Sequence, residues 1–147
     1  MAERSADWMR QAGRDLASAK AQKRDGFHEW ACFIAHQAAE KALKALLQKH
    51  GAQAWGHSLL GLLRAAGERV QVESDLETGA KLLDRYYIPA RYPNGWTSGT
   101  PSDYLDEEDA EKAVGHSERI LRFCQSLLAR QEAPTEADQE GGPDAGE

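Results

Sequence analysis

Two cysteines in 147 residues are too few for a disulfide framework or a zinc set. Cys32 and Cys124 sit in helical stretches among apolar neighbours, where an unpaired thiol behaves as a small hydrophobe. A cysteine nucleophile needs an electropositive, partly exposed setting, and these two read as buried. The five histidines, at positions 28, 36, 50, 57 and 116, contain no HExxH pair, so zinc hydrolysis of that kind is excluded and no metal is expected. Clustered glycines between a strand and a helix are missing, which excludes a P-loop and a dinucleotide-binding turn. No cofactor is expected. No window approaches the roughly 18 uncharged apolar residues of a membrane span. The opening MAERSADWMRQ has no apolar leader region, so a soluble cytoplasmic protein is expected.

An excess of one charge sign is missing from most of the chain. The formal charge is -6, yet the six surplus carboxylates are Glu132, Glu136, Asp138, Glu140, Asp144 and Glu147. The rest balances at 18 basic against 18 acidic residues. A balanced body lacks the dominant basic face that wide, nonspecific nucleic-acid binding requires. Residues 132–147, EAPTEADQEGGPDAGE, carry no basic charge and almost nothing to bury, so they are expected to form a disordered acidic tail. That leaves one domain, residues 1–131, large enough for a single core.

What is present is helical periodicity; no stretch alternates convincingly as a strand. A first helix is expected from about Ser5 to Arg24, with Trp8, Ala12, Leu16 and Ala19 on one stripe, and Asp25-Gly26 ends it. A second, from about Phe27 to His50, reads EWACFIAHQAAEKALKALL, with Gly51 placed as a left-handed stop. Its stripe of Trp30, Ile34, Ala38, Ala42 and Ala45 is widened by Phe33, Leu43 and Leu47. One neighbour cannot cover that width, so the helix is either central or meets a second subunit. Gln37, Glu40, Lys41 and Lys44 read either as a solvated face, where an i,i+4 pair contributes about 0.2–0.5 kcal/mol, or as the polar strip of a subunit contact.

A third helix is expected over about Ser58 to Arg69. A fourth begins at Ser74-Asp75-Leu76-Glu77, where serine and glutamate suit a capping box, and ends near Tyr87. Residues 88–102 form a loop. The last helix opens on Asp106, Glu107, Glu108, Asp109 and Glu111, which favour the positive end of its dipole, and runs to about Gln131. The architecture is therefore an all-α antiparallel bundle, with the third and fourth helices as one interrupted arm.

The densest polar and aromatic chemistry lies in residues 83–93, LDRYYIPARYP. Its prolines push the backbone after Tyr87 out of helical geometry and display Arg91, Tyr92 and Trp96. A rigid loop of cations and rings suits anions and bases. Equally, it suits a plug in which the tyrosines and Ile88 fold over the bundle end and the arginines pair with carboxylates. His57, in WGHSLLGLL, either faces the same cleft or hydrogen-bonds at the start of the third helix.

Taken in order, EWACFIAHQAAEKALKALL, WGHSLLGLL, LDRYYIPARYP, Tyr104 and DAEKAV resemble the small prokaryotic HEPN domain over nearly all of residues 5–128. The resemblance implies an up-and-down four-helix bundle with a short extra helix and a homodimer formed around the Phe27 to His50 helix. It also implies partnership with a separately encoded minimal nucleotidyltransferase, in toxin–antitoxin or defence pairs, and a nucleotide or RNA as ligand. In that reading Arg85 and Arg91 neutralise phosphate. Tyr87, Tyr92 and Trp96 stack or pack, and His57 and Tyr104 supply hydrogen bonds. Many HEPN members are metal-independent ribonucleases that carry Arg, four to six residues, then His. Five to seven positions beyond Arg91 stand Trp96, Thr97 and Ser98, and no other arginine here precedes a histidine at that spacing. A positioned histidine contributes roughly 100- to 10,000-fold by proton transfer, so a noncatalytic binding protein is expected. Two rivals remain: a ribonuclease with a displaced histidine, such as His57, and a purely structural adaptor.

Overall fold

The computed structural model describes residues 3–132, so the expected acidic tail lies outside the described residues except for Glu132. Six α-helices follow in order: α1 Ser5–Arg24, α2 His28–Lys49, α3 Leu59–Gly67, α4 Ser74–Asp84, α5 Pro101–Tyr104 and α6 Glu107–Glu132. A 3-10 turn covers Pro93–Gly95. No strand occurs among the described residues. The turn between α1 and α2 closes at Gly26 with φ of 88°, and Gly51 ends α2 with φ of 72°, the left-handed geometry in which a Cβ is strained.

α1, α2, α4 and α6 alternate in direction and form the up-and-down four-helix bundle; α3 is the short extra helix. Lys20 reaches Glu118 and Lys23 reaches Glu111, which sets α1 antiparallel to α6. The buried Ser117 hydroxyl donates to the Ala35 carbonyl at 2.6 Å and joins α6 to α2. The width of the apolar surface on α2 is explained by its position, for it packs against α1, α3, α4, α5 and α6. Alanines 31, 35, 38, 39, 42 and 45 are fully buried there and let the neighbours approach closely, while Leu43, Leu46 and Leu47 fill the centre with Leu63, Leu83, Ile120 and Leu121.

Several details depart from the sequence-based expectation. α3 and α4 form an antiparallel hairpin, with the end of α4 beside the start of α3 and Arg64 paired to Glu77 midway, instead of one interrupted arm. Ser74 is the first helical residue of α4, and its cap position is Glu73, which makes no side-chain cap bond. The reciprocal boxes form elsewhere, between Thr100 and Asp103 before α5 and between Asp106 and Asp109 before α6. α4 ends at Asp84, three residues early, but the chain keeps helix-like turns to Tyr92 through bonds such as Ala90 N–H to the Tyr86 carbonyl. Trp8 and Trp30, expected on packed stripes, are exposed, and the Lys44 ammonium lies 6.0 Å over the Trp8 ring.

α4 packs closely on α6 at Gly79. A Cβ there meets His116 Nδ1 at 2.8 Å and its Cβ at 3.1 Å. Gly79→Ala gains helix propensity of about 0.8–1 kcal/mol, but the overpacking costs about 1–3 kcal/mol. The expected result is a net loss of stability, read as a lower urea midpoint with an unchanged slope.

Candidate functional site

The site is built on one ring. Tyr87 stands just beyond α4, where the turns that follow Asp84 project it back toward α2. Its ring meets Phe33 at 6.0 Å, His36 at 5.0 Å and His57 at 5.0 Å between centroids, the last nearly parallel at 18°. Arg91 completes the cluster from four residues further along the chain. Its guanidinium carbon lies 4.3 Å from the Phe33 centroid, 4.7 Å from Tyr87 and 5.1 Å from Tyr92, and its Nε donates to the Tyr87 carbonyl at 2.8 Å. The bond from Nε and the three ring contacts fix the orientation of the cation. Arg91 forms no ion pair with a carboxylate among the described residues.

Two imidazole–carboxylate pairs flank this ring. His57 Nδ1 lies 2.9 Å from Glu40 Oε1. An ionised carboxylate only accepts, so Nδ1 carries the proton and donates, leaving Nε2 on a side chain that is 54% exposed. Glu40 also accepts from Lys44 Nζ at 3.2 Å. Glu40 is only 5% exposed, which corrects its reading as part of a solvated face. The second pair is His36 and Asp84, with Nε2 to Oδ1 at 3.1 Å; His36 is fully buried. Asp84 further accepts from the amides of Leu59 at 2.8 Å and Leu60 at 3.1 Å and from the Ser58 hydroxyl at 3.3 Å. Thus Asp84, at the end of α4, caps α3 from outside it. Burial works to raise its pKa, but the His36 hydrogen bond and the two amides outweigh that and hold the carboxyl below its ordinary value.

His57, Tyr87, Arg91 and Tyr92 therefore come together, with the His57 ring stacked on Tyr87; the start of α3 is bonded by Ser58 and Asp84. Trp96 and Tyr104 form a separate stack, with centroids 4.4 Å apart and planes 1° from parallel. Trp96 Nε1 donates to the Pro89 carbonyl at 2.8 Å and the Tyr104 hydroxyl to the Ser98 carbonyl at 2.7 Å. That stack shapes the loop, and no ring or cation contact joins it to Arg91 among the described residues. Arg85 is exposed and lies outside the cluster, its charge acting on Tyr86. Tyr86 is the part of the plug reading that the fold realises. It is buried, and burial, then the nearby Cys32 and Asp109, push its hydroxyl pKa upward.

Cys32 is fully buried, and its thiol is pushed up to about 12 by burial, with Asp109, Asp106 and Glu29 adding to it; burial does the same to Cys124. Among the described residues no group of three metal-ligating side chains comes together, and no helix is long and apolar enough to cross a membrane. The residues that sequence reasoning missed are Phe33, His36 and Asp84, together with the buried role of Glu40. A histidine inside an alanine-rich helix was their faint signal, but its partner stands 48 positions away.

The HEPN domain family model matches residues 5–127. A solved structure from Thermus thermophilus is 42% identical, with a TM-score of 0.82, and the match covers 85% of this chain and 98% of that one. A crystal structure described as an archaeal HEPN homologue is 38% identical, with a TM-score of 0.74 and coverage of 86% and 99%. A HEPN domain protein from Thermotoga maritima is 37% identical, with a TM-score of 0.70 and coverage of 84% and 98%. A search of the curated proteins gives no match. With a family model spanning most of its length and near-complete overlap with relatives of this identity, the chain belongs to the HEPN domain family.

Proposed function

We propose that the protein binds a nucleotide, or the phosphate of an RNA, at the Tyr87 cluster. The observation that carries this is Arg91, a guanidinium held against three rings with one nitrogen on a backbone carbonyl and, among the described residues, no carboxylate to neutralise it. Its remaining donors suit phosphate oxygens in a planar fork. Tyr92, 48% exposed beside it, offers a face for a base, and His57 Nε2 offers a hydrogen bond. In this reading Arg85 contributes only diffuse positive charge, and Trp96 and Tyr104 hold the loop. The absence of histidine from the ribonuclease spacing favours binding without cleavage.

The same reading makes the protein a cytoplasmic homodimer through α2 and its neighbours, acting with a separately encoded nucleotidyltransferase. Phe27 and Trp30, exposed at the start of α2 beside Phe33, support the dimer surface. Titration calorimetry with ATP, GTP and a short single-stranded RNA tests the site. Binding to the wild type is expected to weaken about 10- to 100-fold in Arg91→Ala, the loss of one charge-assisted contact of about 1.5–3 kcal/mol. Flat isotherms for all three ligands remove the claim. Light scattering that reads one chain of 16.2 kDa removes the dimer.

A second reading has its own support in the buried Glu40 beneath His57. A carboxylate that fixes the tautomer of an exposed imidazole is the arrangement of an oriented general base. Incubation with single-stranded RNA and tRNA discriminates the two readings. Cleavage by the wild type that disappears in His57→Ala establishes the enzyme; no cleavage leaves the binding protein.

A further inference from the structure

The groove between the start of α4 and the C-terminal half of α6 has a volume of about 590 Å³ and lies apart from the Tyr87 cluster. Leu76, Phe123 and Leu127 give it apolar surface, and Arg119, Arg122 and Arg130 stand along its α6 side. Arg122 is held by Glu118 at 2.6 Å, whereas Arg119 and Arg130 form no ion pair among the described residues. Glu73 and Asp75 line the α4 side. The groove is thus cationic on one wall and acidic on the other.

We propose that the occupant of this groove is the chain's own segment 133–147, its carboxylates set against the α6 arginines. Glu136, Asp138, Glu140, Asp144 and Glu147 give that segment five negative charges and no positive one. It continues directly from Glu132, the end of α6, so it starts next to Arg130. Fifteen residues reach at most about 50 Å when extended, and the path back along α6 to Arg119 is about 20 Å. The covalent link supplies an effective concentration in the millimolar range, so contacts too weak to hold a free peptide suffice. Glu73 and Asp75 repel the segment from the α4 wall and fix its register toward α6. A charge-balanced body makes a polyanionic partner the poorer fit, since counterion release needs a wider basic face.

The test uses the full chain with Ala145→Cys carrying a nitroxide; Cys32 and Cys124 are fully buried, which confines the label. At about 0.01 M salt, where the Debye length is about 30 Å, amide signals from residues 119–130 and the first turn of α4 are expected to broaden. They are expected to recover at about 1 M salt, where it is about 3 Å, and in the variant with Glu136→Gln, Asp138→Asn, Glu140→Gln, Asp144→Asn and Glu147→Gln. Broadening confined to the last turn of α6 at every salt concentration overturns the proposal. So does broadening seen only between labelled and unlabelled chains in a mixture, which assigns the groove to a second copy. So do arginine side-chain signals that shift only when oligouridylate is added, which assigns it to nucleic acid.

Discussion

Asp84→Ala is expected to lower unfolding free energy by about 3 kcal/mol. The wild-type carboxylate accepts from His36 and from two backbone amides at the start of α3. Removing it leaves a ring nitrogen of the fully buried His36 without its hydrogen-bond partner, a class of loss worth about 1–3 kcal/mol. The cap lost from α3 alone accounts for about 0.5–2 kcal/mol. Asp84→Asn retains an acceptor oxygen and is expected to lose roughly half as much. Chemical denaturation measures both. The acid limb of stability reports the same group. Because the folded state holds the Asp84 carboxyl below its ordinary value, this contribution is complete above the unfolded pKa of about 3.9 and is lost as pH falls through the folded value. Asp84→Ala is expected to flatten that limb. A milder loss is expected at higher pH from His116. Burial, then Arg119, depress its pKa against the opposing Asp75, so its share of stability is present above the unfolded value of about 6.5 and falls as pH drops toward the folded one.

Tyr87→Ala is expected to abolish nucleotide binding and to cost about 2–4 kcal/mol of stability, whereas Tyr87→Phe is expected to leave both nearly unchanged. The ring is the common contact of Phe33, His36, His57 and Arg91. Truncating a packed aromatic costs about 3–5 kcal/mol when fully buried, and Tyr87 is half-buried. No hydrogen bond from its hydroxyl is made among the described residues, so phenylalanine keeps every contact that the structure shows. Calorimetric titration alongside thermal unfolding separates the two effects. If Tyr87→Ala binds ATP, GTP and RNA as the wild type does, the ligand lies elsewhere.

Helix positions were legible in the letters because alanine and leucine recur with a helical period from Ser5 to Leu128, and helix ends carry glycine at 26 and 51. Arg91, Tyr92 and His57 were legible as site candidates because prolines and a helix start confine them to a loop. The remainder was hidden by distance along the chain. Asp84 looks like an ordinary last-turn residue until its carboxylate is found on amides 24 and 25 positions away. Glu40 and Lys44 show the i,i+4 spacing of a surface pair, and only tertiary packing converts it to a buried support for His57. Trp96 and Tyr104 share the composition of the site but satisfy their polar atoms within the loop, which no local pattern distinguishes from availability to a ligand.

The cap that α4 places on α3 also governs how the domain assembles. A nine-residue helix is too short to persist alone in water, so α3 acquires lasting order only once the chain has closed the loop that brings Asp84 to its first amides. Amide exchange in α3 is therefore tied to opening of α4, and the two helices come and go as one cooperative unit. That unit carries His57 at one end and Tyr87 at the other, so its local opening separates the two stacked rings.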